Sequence, residues 1–150
     1  MSGEPCSPAT LERLFFPYLR EMCELAHSRG VKVVFHSDGN VTAILPQLAA
    51  CGIDGLNPLE TSAGMDYAAF KEFSVLQASK PVALVGGLDA VDILARGTVD
   101  QVVAATRRLL QIAGAGGGLI AASASGEVDN SMPLANVLAF WETVWEEGKY

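Results

Sequence analysis

The stretch Val31-Lys32-Val33-Val34-Phe35-His36-Ser37-Asp38-Gly39-Asn40 decides the fold. Val31 to Phe35 is a largely apolar, β-branched run, the pattern of a strand buried on both faces. A polar, glycine-bearing cluster follows at once, which places His36 to Asn40 where a strand ends and a loop opens. Upstream, Ser7 and Pro8 suit the N-cap and first position of a helix. Leu11, Leu14, Phe15, Tyr18, Met22, Leu25 and Ala26 then recur at three- and four-residue steps, which sets them on one helical face. Pro17 falls inside that run and is expected to kink it, and Gly30 ends it.

The same grammar continues downstream. A helix is predicted from about Val41 to Cys51, a short strand over Ile53 to Asn57, and a helix over Tyr67 to Ser74. Pro81 introduces a strand, Val82 to Val85, that runs into Gly86-Gly87-Leu88-Asp89. A short helix (Val91 to Ala95), a longer one (Asp100 to Ala113), a strand (Gly118 to Ala122) and a last helix from Pro133 or Leu134 to Gly148 complete the pattern. One helix followed by four strand–helix units implies a parallel sheet in an α/β protein, either doubly wound or part of a barrel. In both, ligands collect where the strands end. No repeat, linker or second domain interrupts the 150 residues.

Composition narrows the function classes. Half of the residues are hydrophobic and 18% are charged, which excludes disorder. The net charge of −7, with scattered basic residues, disfavours nucleic acid, because phosphate neutralisation needs clustered Lys and Arg. No apolar run reaches the ~20 residues of a membrane helix. Met1 to Ser7 lacks a signal-peptide pattern, so a cytoplasmic location is expected. Cys6, Cys23 and Cys51 form no CxxC pair, and Cys23 and Cys51 read as small buried apolar residues.

The chemistry-bearing residues cluster at the strand ends. His36 and Asp38 are two apart, so an extended backbone turns both to one side. Such a pair suits metal binding or general acid–base work, although Asp38 also suits capping the next helix. Glu60 follows the second strand and reads either as a carboxylate in the same cavity or as a solvated loop acid. Gly86 and Gly87 permit close approach to the backbone, and Asp89 reads first as a helix cap. Asn57, Glu60, Gly86, Gly87, Asp89 and Ser123 are the candidate substrate-binding set. The run Gly114 to Gly118 is no phosphate loop, because it follows a helix and precedes a strand. His27, near a helix C-terminus, reads as structural.

Four stretches in order, His36-Ser37-Asp38-Gly39-Asn40, Cys51 to Pro58, Val85 to Asp89 and Pro133 to Val137, resemble the uroporphyrinogen decarboxylase superfamily. The resemblance runs from about Ser7 to Gly148. It implies the C-terminal half of a TIM (β/α)8 barrel, about four βα units. It also implies either tetrapyrrole decarboxylation in porphyrin biosynthesis or methyl transfer from a small-molecule donor to a corrinoid protein. His36 matches the metal-binding histidine of the family's zinc methyltransferases, whereas Asp38 stands at their first cysteine position and no cysteine lies in Ser123 to Ser131. The histidine that the decarboxylases carry after the last strand is also absent from Ala121 to Gly126.

The methyltransferase-like branch is therefore the leading expectation, with His36 and Asp38 as catalytic residues. His36, Asp38 and Glu60 are the candidate ligands of a divalent, zinc-like metal. Tetrapyrrole decarboxylation and a non-catalytic half-barrel fragment are the alternatives. A half barrel is further expected to self-associate or to pair with a separate N-terminal half.

Overall fold

Four strands pair in parallel in the order β1 (Val34–His36), β2 (Gly55–Asn57), β3 (Ala83–Leu88) and β4 (Leu119–Ser123). The computed structural model describes residues 6–76, 80–124 and 128–149. The leader reading and part of the stretch after β4 rest on residues 1–5 and 125–127, outside the described residues. Each strand lies beside its sequence neighbour, and the order never reverses. A doubly wound sheet reverses at its switch point; a barrel does not. The sheet is thus a barrel-type arc of four strands, with both edge strands open.

The helices follow the sequence pattern with local adjustments. The first predicted helix is two: α1 (Pro8–Leu14) and α2 (Phe16–His27), separated at Phe15. Ser7 caps α1 through the N–H of Thr10, and the break places Pro17 in the first turn of α2, where no N–H is needed. The helix predicted from Val41 is a 3₁₀ turn (Thr42–Ile44) followed by α3 (Leu45–Cys51). Next come α4 (Tyr67–Leu76), a π-type turn (Ala90–Ala95), α5 (Val99–Leu109) widening into a second π-type turn (Leu110–Gly114), and α6 (Leu134–Glu147). Thr98 and Gln101 close a reciprocal capping box on α5.

Burial corrects two sequence expectations. The strand read as buried on both faces alternates instead: Val33 and Phe35 are partly covered, while Val34 and His36 are exposed. Helices cover one face only, so the core lies between Phe35, Leu56, Leu84 and Leu119, which are in register across the sheet, and the helices. The helical face built on Leu14, Tyr18, Met22 and Leu25 is exposed, and α2 instead buries Phe16, Leu19 and Cys23. The helix carries two apolar stripes, and the second one meets this sheet. Cys23 and Cys51 are buried as expected, and burial raises the pKa of both thiols.

Candidate functional site

All four strands point the same way, so their C-terminal ends share one rim. His36 ends β1, Asn57 ends β2 in register with it, Asp89 follows β3 and Ser123 ends β4. Val34 and His36 share the exposed side of β1, as the two-residue spacing requires, and Asp38, also exposed, lies in the bend that follows the strand. His36 Nε2 lies 3.5 Å from Asp38 Oδ1, and the two side chains are 62% and 67% exposed. Asp38 does not cap the next helix; Asn40 Oδ1 accepts the N–H of Thr42 instead. On its other side, His36 Nδ1 lies 2.8 Å from Asn57 Oδ1, and Asn57 Nδ2 donates to the Val85 carbonyl at 3.3 Å. A continuous polar chain thus runs along the rim from Asp38 through His36 and Asn57 to β3.

The other candidates divide. Glu60 is not a solvated loop acid: it is 4% exposed, and its Oε1 accepts the N–H of Ser62 at 2.9 Å. Its Oε2 is buried with no hydrogen-bond partner among the described residues, an arrangement that costs free energy unless something pairs it. Asp89 acts as the cap read from the sequence, accepting the N–H groups of Val91 at 2.9 Å and Asp92 at 2.7 Å. Gly86 and Gly87 have φ of 119° and 101°, in the left-handed region. The close approach they permit is made by the chain itself: a Cβ at Gly86 would sit 3.3 Å from Pro58 Cα, and one at Gly87 2.5 Å from Leu109 Cδ1. Ser123 is partly buried in register with Leu88.

The three residues read as metal ligands are not gathered into one cluster. Among the described residues no group of three or more His, Cys, Asp and Glu is placed to hold a metal ion. His36 and Asp38 offer two donors on the open side of the rim, and Glu60 is turned to the N–H of Ser62. This donor set does not fit a three-ligand cation site.

Sequence reasoning missed a second constellation, at the opposite edge of the sheet. Asp54, at the start of β2, accepts from His27 Nε2 at 2.7 Å, the N–H of Val33 at 2.9 Å, and Lys32 and Lys80 at 3.1 Å each. Burial would raise its pKa, but these donors outweigh burial and hold the carboxyl well below the usual carboxylate range. The signal was faint, because Asp54's partners lie 21 to 27 residues away in sequence. A cavity of about 610 Å³ opens at this edge, lined by Lys32, Asp54, Lys71, Gly117 and the exposed face of the sheet. It lies away from the His36 rim. The Gly116 to Gly118 turn borders it, and Lys71 Nζ already donates to the Gly117 carbonyl. Among the described residues, no helix is long and apolar enough to cross a membrane.

Comparison with known proteins agrees with the fold. Residues 1–147 match the uroporphyrinogen decarboxylase (URO-D) family. Among solved structures, a methyltransferase from Methanosarcina mazei is similar, with a TM-score of 0.72 and 26% identity. The match covers 94% of this chain and 38% of that one, so the chain spans well under half the length of the neighbour. No curated protein sequence matches.

Proposed function

Because the chain belongs to the uroporphyrinogen decarboxylase family, we propose that it forms the C-terminal half of a methyltransferase-like barrel that moves a methyl group from a small molecule to a corrinoid protein. The observation that carries the reading is the pair at the rim: His36 Nε2 and Asp38 Oδ1, 3.5 Å apart and open to a ligand. The methyltransferase neighbour supports the choice of chemistry.

Methyl transfer leaves an electron pair on the donor's heteroatom. A reduced corrinoid on the partner would supply the pair for the new bond to carbon. The departing heteroatom then needs a proton or an equivalent positive charge. His36, protonated on Nε2, donates that proton to the heteroatom, and Asp38 stabilises the imidazolium until it does. The donor leaves as its protonated form, and His36 is re-protonated from solvent. Because the candidate ligands do not fit a metal, no step is routed through one. In this proposal a complementary barrel half supplies the remaining walls of the pocket.

The test is reconstitution of a full barrel and incubation with reduced corrinoid and a panel of methylated small molecules, followed by the absorbance change on corrinoid methylation. Methyl transfer that depends on His36 supports the reading. Release of carbon dioxide from uroporphyrinogen instead would favour the decarboxylase, and neither activity would favour the non-catalytic half barrel.

A further inference from the structure

Asn57 Oδ1 lies 2.8 Å from His36 Nδ1. The two residues are paired in register on β1 and β2, and the Asn57 side chain is engaged at both ends. Its Nδ2 is 3.3 Å from the Val85 carbonyl oxygen. A backbone carbonyl only accepts, so the NH₂ of the amide must face Val85 and the amide oxygen must face His36. That oxygen only accepts as well, and it lies 2.8 Å from His36 Nδ1. Nδ1 therefore carries a hydrogen. A neutral imidazole has one N–H, so Nε2 keeps its lone pair.

We propose that Asn57 is the positioning residue of His36: by accepting the Nδ1 proton it fixes the Nδ1–H tautomer and makes Nε2 the atom presented at the rim. The inference deepens, and rests on, the reading of His36 as the reacting group. A histidine without such a partner in water prefers the proton on Nε2, so the tautomer is imposed by the neighbouring strand. It also leaves the Asn57 contact unchanged through the proton cycle, because neutral and protonated imidazole both donate Nδ1–H. Nε2 gains and loses its proton beside Asp38 Oδ1, 3.5 Å away, without any rotation of the ring. The role sets Asn57 behind the histidine, with Val85 holding the amide from β3.

The chain has two histidines, which makes the test direct. The ¹⁵N-labelled full chain is recorded by long-range ¹H–¹⁵N correlation at about pH 8.5, where unperturbed imidazoles are neutral. His27→Gln assigns the two rings. His36 is expected as Nδ1–H, while His27, which faces Asp54 through Nε2, is expected as Nε2–H in the same spectrum. Asn57→Leu removes the acceptor and is expected to move His36 to Nε2–H; Asn57→Asp keeps an acceptor oxygen and is expected to restore Nδ1–H. A wild-type His36 protonated on Nε2, or one whose tautomer is the same in Asn57→Leu, overturns the proposal. Should Asn57→Leu fail to fold, the wild-type spectrum decides: Nδ1–H supports the proposal and Nε2–H overturns it. The tautomer is read without any methyl donor. Failed methyl transfer with an intact Nδ1–H signal therefore counts against the proposed function alone.

Discussion

His27 Nε2 lies 2.7 Å from Asp54 Oδ2, and that contact ties the end of α2 to the start of β2. Lys32 and Lys80 reach the other carboxylate oxygen at 3.1 Å each, and the N–H of Val33 shares the first. One carboxylate thus ties together α2 and the starts of three strands, at the end of the sheet opposite His36. In barrels the N-terminal edge serves stability, and Asp54 fits that division of labour.

Replacing Asp54 with Asn is expected to cost about 1–2 kcal/mol: the Asp54 side chain is 12% exposed, but its partners Lys32, Lys80 and His27 are 79%, 39% and 34% exposed, so solvent screens much of the attraction. Its folded pKa is depressed, so its contribution is fully present above the unfolded carboxylate pKa of about 3.9 and is lost as pH falls through the folded value. Urea unfolding at neutral pH and near pH 3 checks both parts. The wild type should lose more stability on acidification than Asp54→Asn does; equal losses would show that Asp54 is not the group responsible.

Gly86→Ala is expected to destabilise by roughly 1–3 kcal/mol. The φ of 119° disfavours any side chain, and the new methyl would press on Pro58, whose Cα is 3.3 Å from the Cβ position. Gly87→Ala should behave similarly, with Leu109 as the neighbour that must give way. Thermal unfolding of both variants is the measurement. Unchanged midpoints would mean that β3 can relax its left-handed turn.

In the reconstituted barrel, His36→Ala and Asp38→Ala are each expected to slow methyl transfer by ~10²-fold or more, the scale for positioned acid–base and electrostatic groups. Both side chains are well exposed, so the folded state should survive either change. Rates equal to the wild type would make the pair structural.

The arc of the sheet leaves apolar surface on three sides. Ile120 is 60% exposed on the open face, Tyr18, Met22 and Leu25 line α2, and Leu134, Leu138, Trp141 and Trp145 follow one another at helical spacing along α6. Exposed apolar surface of this kind promotes association. The chain alone is expected to self-associate and to bind an apolar dye. Co-folding with a complementary barrel half should shift tryptophan emission to the blue, since Trp145 is 83% exposed beforehand. A dilute, monodisperse monomer with a cooperative transition and no dye binding would count against both forms of association.

Local chemistry was enough to order the elements. Alternating apolar runs and glycine or proline stops announce four strands and their helices, and the strand-end position of His36 and Asp38 follows from the same alternation. The capping role of Asp89 was legible too, because a cap acts within three residues along the chain. These features depend on neighbours in sequence, where periodicity carries the information.

What the tertiary structure alone decided are choices between faces and partners distant in sequence. Periodicity shows that α1 and α2 carry an apolar stripe through Leu14, Tyr18 and Met22, but Phe16, Leu19 and Cys23 form another, and only packing against the sheet selects the second for burial. Glu60 reads equally as a rim acid or a solvated one until the fold buries it beside Ser62. The link from His36 to Asn57 spans 21 residues and exists because β1 and β2 pair in one register; a slip of one residue would turn Asn57 to the other side of the sheet. Sequence alone therefore determined that His36 and Asp38 stand at a strand end, and strand register decided that the His36 ring lies beside Asn57.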